Sequence, residues 1–450
     1  MKKHWQPALF TLALLPATAA AEPTSTKKLE PLARNYFTVE TAKPLDATAD
    51  DEVNPLEFDV FWKDSINFRT KDKQFTAKIG GRIHHDWAWF SEDLERKTQG
   101  NAEPYDFENG TKFRRARLYL SGTIRESVEY KIQMDFAADT SGADFKDVYV
   151  GLKHSKEANV RVGQFKEPFS LSELTSSNYI AFMERGLPVM LAPSRNTGAM
   201  FHGSSANSRV SYAVGIFKDE NDIGESTGSG EYGYTTRVTG LVVDTDDTLV
   251  HAGLGFSMRD IPGMTFDPSF RPASSLAPRL LNVDAAGVAN SIQADESTLL
   301  GAELAVVSGP FWASGEYIMN DIRARDGMAD ATLSGQYVQA GYFLTGESRP
   351  YKRSNGTFTK VKPRNPKGGD DDGCGAWEVA FRYANLEFEN VRNGGSLFTD
   401  ELSDMVFGVN WYWNPNARIM FNYVMFDLDA KSINVNGDGS AFQTRFSLFL

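Results

Sequence analysis

A chain of 450 residues with a formal net charge of −12, 41% hydrophobic side chains, 12% aromatic ones, 38 glycines and a single cysteine is long enough for two or three soluble domains or one large barrel. The acidic balance excludes a general nucleic-acid binder, which needs a basic face, and the lone Cys374 excludes a disulfide framework. Beyond the N-terminus, no stretch approaches the roughly 20 apolar residues of a membrane-spanning helix.

The N-terminus, "MKKHWQPALFTLALLPATAAAEP", joins Lys2 and Lys3 to an apolar run from Ala8 to Leu15 and to small residues Ala19 and Ala21. That order is the pattern of an export signal over residues 1–21, with a mature chain starting near Glu22. Removal of Lys2 and Lys3 takes the 47 basic residues to 45 against 59 acidic, a charge near −14. Residues 22–60 are polar and dotted with prolines, without clear periodicity, and read as a periplasmic extension. Residues 61–450 read as one transmembrane domain.

From there the hydropathy repeats every second residue. "FTAKIGGRIHHDWAWF" puts Phe75, Ala77, Ile79, Ile83, Trp87 and Trp89 on one face, with Lys78, Arg82, His84 and Asp86 on the other. "VEYKIQMDFA" sets Val128, Tyr130, Ile132, Met134 and Phe136 against Glu129, Lys131, Gln133 and Asp135. Period-two alternation predicts strands with one face in an apolar medium and one in water. Such strands are expected at 74–90, 111–124, 127–138, 144–154, 158–165, 198–204, 208–217, 232–243, 247–259, 298–308, 310–320, 332–344, 375–386, 404–413, 417–428 and 440–450. The fold class is therefore all-β: a sixteen-stranded antiparallel transmembrane β-barrel. The short run "SINFRT" is left out, because a single-chain barrel with both ends in the periplasm needs an even number of strands. Within "GVNWYWNPNARIMFNY" the turn Asn414-Pro415-Asn416 joins two alternating runs into a hairpin with aromatics near its tip. The last residues, "AFQTRFSLFL", keep Phe442, Phe446, Leu448 and Leu450 on one face, like the terminal strand of outer-membrane barrels.

The stretches "RVGQFKEPFSLSELTSSNYIAFMERGLP" (161–188), "YFLTGESRPYK" (342–352) and "GAWEVAFRY" (375–383) resemble the phosphate-selective porin O and P family, from about residue 61 to the C-terminus. The resemblance implies a homotrimer of sixteen-stranded barrels in the Gram-negative outer membrane, in contact with outer-membrane lipid. Each barrel would be a water-filled anion channel narrowed by inward-folded loops. The expected partners are small inorganic anions, phosphate or polyphosphate among them, and no nucleic acid. Family members selective for phosphate carry a lysine cluster in the third outer loop; here that segment has only Lys166, Arg185 and Arg195 against Glu167, Glu173 and Glu184.

The alternation itself supports an anion pathway. Opposite the apolar residues stand Lys78, Arg82, Arg115, Arg117, Lys131, Lys153, Arg161, Arg209, Arg237, Arg259, Arg382, Arg418 and Arg445. The acids on the same face are Asp86, Glu129, Asp135, Asp147, Glu303, Glu316, Glu378 and Asp404. Cations outnumber acids on the lumen face of a chain that is acidic overall, and low-dielectric walls focus that field. Lys166 and Arg195 are the expected cations of the constriction loop. The connection 345–375, about thirty residues long on the side where turns should be short, supplies Lys352, Arg353, Lys360 and Lys362 at the expected exit. No cofactor or metal is expected: no phosphate-binding glycine loop precedes a helix, and the two histidines of "IHHDW" point to opposite faces of a strand. A general diffusion porin of weak selectivity is the alternative function. An outer-membrane lipase is a more distant one, since His85 faces outward without a serine companion.

Overall fold

The computed structural model describes residues 57–450 apart from 99–100, 105–106, 138–141, 219–223, 225–231, 267–268, 283–291, 326–329, 369–371 and 394–395. The expected export signal and most of the N-terminal extension thus lie outside the described residues. Sixteen antiparallel strands close into a barrel: β1 Phe75–Thr98, β2 Gly110–Ile124, β3 Val128–Asp135, β4 Asp144–Lys153, β5 Asn159–Lys166, β6 Arg195–Ser204, β7 Val210–Lys218, β8 Tyr232–Asp244, β9 Thr248–Phe266, β10 Ile292–Ser308, β11 Phe311–Ala324, β12 Ala331–Phe343, β13 Ala376–Asn393, β14 Ser396–Asn414, β15 Ala417–Ala430 and β16 Val435–Phe449. The last strand pairs with the first, from Val435 opposite Arg96 to Phe449 opposite Arg82. Reciprocal bonds between Gly81 and Leu450 (2.9 and 3.0 Å) seal the seam.

All sixteen expected strands are present. Most of the differences lie at the end bearing the long loops, where β1, β9, β10, β13 and β14 run farther than alternation suggested. Beyond the hydrocarbon both faces of a hairpin meet water, so backbone pairing continues while the apolar face disappears. "SINFRT" is a strand too, but not a wall strand. Ile66–Thr70 pairs with Phe58–Trp62 and with residues 76–79 of β1, adding a hairpin to the barrel rim below the seam. The boundary expected at residue 61 falls inside that hairpin.

The outer face is apolar and unpartnered, with Ile132, Leu254 and Val338 all strongly exposed, as lipid requires. Trp87, Trp89 and Phe442 stack at 5.9–6.1 Å toward one side. Trp377, Trp411 and Trp413 stack at 4.7–5.0 Å at the other. These are the two interfacial aromatic belts expected of a barrel in a bilayer.

The interior is filled from both ends. The outer loop 167–194 (L3) carries a one-turn helix at Leu171–Leu174 and a 3-10 turn at Leu187–Leu191. Its backbone docks on the lumen wall through Glu316, which accepts from the Leu171 and Ser172 N–H groups (3.0 and 2.7 Å). Asn422 accepts from Met183 N–H (2.8 Å). Paired glycines make room for the loop. Gly255 faces Gly301 across β9 and β10, and a Cβ on either would lie within about 3 Å of the Phe169 ring. The outer loop around residues 270–280 also reaches inward: Ser275 donates to Asp86 (2.8 Å), and Gln443 donates to the Ala273 carbonyl (2.7 Å).

Candidate functional site

Among the described residues, two sizeable cavities lie mainly along one wall of the lumen. A cavity of about 560 Å³ is bounded by β1 to β6 and L3. Arg82, Lys131 and Ser176 also line a wider one of about 1140 Å³ at the end holding the short turns. Strands of the opposite wall meet the inward segments, as where Phe169 sits on Gly255 and Gly301 and Met183 N–H donates to Asn422.

That asymmetry sorts the inward cations. Lys78, Arg82, Arg115, Arg117 and Lys131 line the open space. Arg161, lying over the Tyr149 ring (4.2 Å), pairs with Glu129 (2.7 Å) beside it. Arg237, Arg259 and Arg382 point inward as expected but do not line it. Arg237 is buried on Glu303 (2.5 Å) and donates to the carbonyls of Asn355 and Gly356. Arg259 is paired with Glu167 at the root of L3 (2.9 Å). Arg382 faces Asp404 (3.6 Å) and donates to the Glu184 carbonyl (2.8 Å). Arg418 and Arg445 behave alike, the first donating to the Ile180 carbonyl (2.8 Å), the second gripping Asp86 (2.6 Å) and Glu184 (2.8 Å). These arginines clamp the plug rather than face water. The reason is geometric: alternation reports which side of the wall a residue is on, not what else occupies that side.

Lys166 and Arg195 are corrected in a similar way. They end β5 and β6, directly opposite each other at the mouth of L3, and so belong to the wall, not to the loop. Both line the narrower cavity. Lys166 pairs with Glu173 (2.9 Å) and Arg195 with Asp147 (2.7 Å). Burial pushes the Glu173 carboxyl up, but Arg185 and Lys166 outweigh it and hold the group down at about 2. Glu184, also in L3, is held well below its ordinary range by Arg114, Arg445 and Arg115 against the same burial.

The long connection 344–375 folds back into the barrel from the short-turn end. Arg349 is its buried anchor: it lies over the rings of Trp312 (4.0 Å) and Phe358 (4.5 Å), pairs with Glu378 (3.2 Å) and donates to the Tyr179 carbonyl of L3 (2.8 Å). Phe358 N–H donates to Thr175 Oγ1 (3.3 Å), so the two inward segments touch. Lys360 and Lys362 line the wider cavity together with Arg364. Lys352 and Arg353 lie outside that lining. Arg353 sits at the rim in a forked pair with Asp244 (2.7 Å).

Sequence reasoning missed Arg114 and Lys146, which also line the narrower cavity. Register slips put them there: β1 pairs His84 with Arg115 and His85 with Phe113, skipping Arg114, and β3 with β4 skips between Ile132 and Met134. A signal for the first exists in the sequence. Outward Phe113 and outward Leu118 have opposite parity, so a bulge must lie between them. An arginine left facing lipid would cost about 2–4 kcal/mol.

Most of these cations are neutralised locally. Arg114 is paired with Glu184, Arg117 with Asp135, Lys131 and Arg195 with Asp147, Lys146 with Asp144, Lys166 and Arg185 with Glu173, and Lys360 with Asp64. Among the described residues, Arg115, Arg82, Lys78, Lys362 and Arg364 line the cavities without a carboxylate in ion-pair range. Arg82 donates only to the L3 hydroxyls of Ser177 (2.8 Å) and Ser176 (3.4 Å). Arg115 is buried with Nε and one terminal nitrogen unbonded.

The comparisons agree with this architecture. The family model for "Phosphate-selective porin O and P" matches residues 78–448. Porin O of Pseudomonas aeruginosa is 30% identical over 411 residues, 85% of this chain and 90% of that protein. An uncharacterized protein of Caulobacter vibrioides is 26% identical over 438 residues, 95% of this chain and 82% of that protein. Among solved structures, an anion-selective porin from Comamonas acidovorans superposes with a TM-score of 0.51 at 12% identity, over 84% of this chain and 100% of its own. The trimer form of the outer-membrane protein OmpT of Vibrio cholerae gives 0.50 at 12% identity, over 84% and 99%. At such identities these last two speak to the fold.

Proposed function

Because this chain belongs to the phosphate-selective porin O and P family, we propose that its lumen carries small anions past a file of cations without an ion-pair partner: Arg115 and Arg82 in the narrower cavity, then Lys78, Lys362 and Arg364 in the wider one. The protein is a bacterial outer-membrane porin. It works as a passive channel rather than an enzyme, as a trimer in lipid.

The observation that carries this reading is the local charge balance. A lumen cation already tied to a carboxylate presents little net field to a passing ion, whereas an unpaired one in a low-dielectric wall presents nearly all of it. Arg82 and Arg115 line the smaller cavity, with the Ser176 and Ser177 hydroxyls beside Arg82. Together they offer charge-assisted donors that replace part of an anion's hydration, the chemistry a phosphate oxygen requires. L3 adds little free charge, because its acids and cations are spent on one another and on the wall.

Reversal potential across a planar bilayer in a potassium chloride gradient tests the sign. Chloride permeation is expected, and a cation-signed potential would overturn the reading. Phosphate should also block the chloride current in a saturable way. Arg82→Gln with Arg115→Gln should raise the half-blocking concentration by about tenfold or more, since charged hydrogen bonds contribute about 1.5–3 kcal/mol each. Unsaturable block in the wild type would make the channel a weakly selective diffusion pore.

A further inference from the structure

The wider cavity is lined by more than cations. Tyr119, Tyr130, Tyr149 and Tyr179 share it with Lys78 and Lys362, and the N-terminal hairpin adds Phe61 and Phe68. A bare inorganic anion can take hydrogen bonds from tyrosine hydroxyls, but it gains nothing from the ring faces, which only remove water from around it. From these residues we infer a vestibule site for anions that carry an aromatic ring, of the aryl phosphate class. The inference rests on the anion-channel reading and extends it to a substrate class.

Three observations support it. The space, about 1140 Å³, is above the roughly 300–1,000 Å³ of sites for drug-sized ligands and so has room for more than a single small ion. Tyr119 lies between two ammonium groups, with Lys78 Nζ 5.9 Å and Lys131 Nζ 5.6 Å from its ring centre. Lys131 is held by Asp147, while Lys78 has no carboxylate in ion-pair range and is available to an incoming anion. A phosphate oxygen bonds an ammonium at about 2.8 Å, so an aryl group on that phosphate reaches Tyr119 at the roughly 4.5–7 Å separation that aromatic pairs favour. Finally, the unpaired Lys362 and Arg364 of the inward turn border the same space, which allows a doubly charged phosphate to be held from two sides.

The test is block of the chloride current in bilayers holding the full-length protein, with inorganic phosphate and p-nitrophenyl phosphate added in turn to the side of the wider cavity. The expected result is half-block by the aryl ester at a concentration at least about tenfold below that of phosphate. Tyr119→Leu and, separately, Tyr179→Leu should shrink that ratio toward one. The pair Lys362→Gln and Arg364→Gln should weaken the aryl ester more than phosphate. Each variant is first checked for heat-modifiable migration, and the two tyrosine changes on different elements provide a second reading if one fails to fold. Equal half-block by the two anions, or a ratio untouched in every folded variant, overturns the inference. Reversal potential in the same bilayers separates the two failures: a chloride sign with no aryl preference defeats the vestibule site alone, and a cation sign defeats the channel reading as well.

Discussion

A single side chain, Phe169, illustrates how the plug is set. Its ring is fully buried where Gly255 and Gly301 leave the wall bare, and truncation to Ala would remove about 3–5 kcal/mol of packing by the usual cost of emptying a core aromatic. Phe169→Ala should therefore loosen L3 and raise single-channel conductance, with more open-channel noise; Gly301→Val should do the same by filling the seat from the other side. Conductance unchanged in both would show that this contact does not hold the loop. Glu173 gives a pH signature of opposite origin. Released into water it would titrate near 4.5, but packed against Arg185 and Lys166 it is held at about 2. A lowered value means its contribution to L3 packing is complete above about pH 4.5 and fades as pH falls toward 2. Current noise from L3 should thus be flat from neutrality to about pH 5 and grow below it, whereas Glu173→Gln should be noisy already at pH 7. Identical acid profiles in the two proteins would refute the assignment.

At the scale of elements, the strands divide their residues between lipid and lumen, and the division is measurable. Ile132 on β3 faces outward and is strongly exposed, while neighbouring Lys131 faces the cavity. Ile132→Lys should impair insertion by about 2–4 kcal/mol if the site lies near midplane, whereas Lys131→Gln should insert normally and alter only conduction. Folding into lipid vesicles, read by heat-modifiable migration, distinguishes the two, and equal defects would undo the facing assignment. The sixteen strands were legible because lipid on one side and water on the other impose period two on Phe75–Ile83 and Val128–Asp135 alike. Arg114 and Lys146 were not legible from that period, since a bulge shifts parity without changing composition.

For the whole molecule, the question is how a chain of charge −12 attracts anions. The answer is local: buried carboxylates are spent on the arginines that clamp L3 and the inward turn, and the unpaired cations are left beside the open path. Lys362 and Arg364 near the exit should then act through their field. Neutralising both should lower conductance, and more so in dilute salt, because the screening length grows from about 8 Å at 0.15 M to about 30 Å at 0.01 M. An equal fractional loss at both concentrations would show that they do not act electrostatically. By the same logic, Lys352→Gln with Arg353→Gln should change conductance little, since Arg353 already shares its charge with Asp244 at the rim.

Sequence alone determined the barrel, its strand number, the side of the wall on which most charges fall and the family resemblance, because a two-solvent environment writes itself into every second residue. Only the tertiary structure decided which of the inward charges meet water. That outcome depends on L3 crossing the lumen, on the 344–375 connection rising to touch it at Thr175 and Tyr179, and on the groups these segments bring: the Asn355 and Gly356 carbonyls to Arg237, Glu167 to Arg259 and Glu184 to Arg445. Contacts of that kind join residues as far apart as Arg445 and Glu184 of L3, 261 positions, and no periodicity within a strand encodes a partner that arrives from a loop.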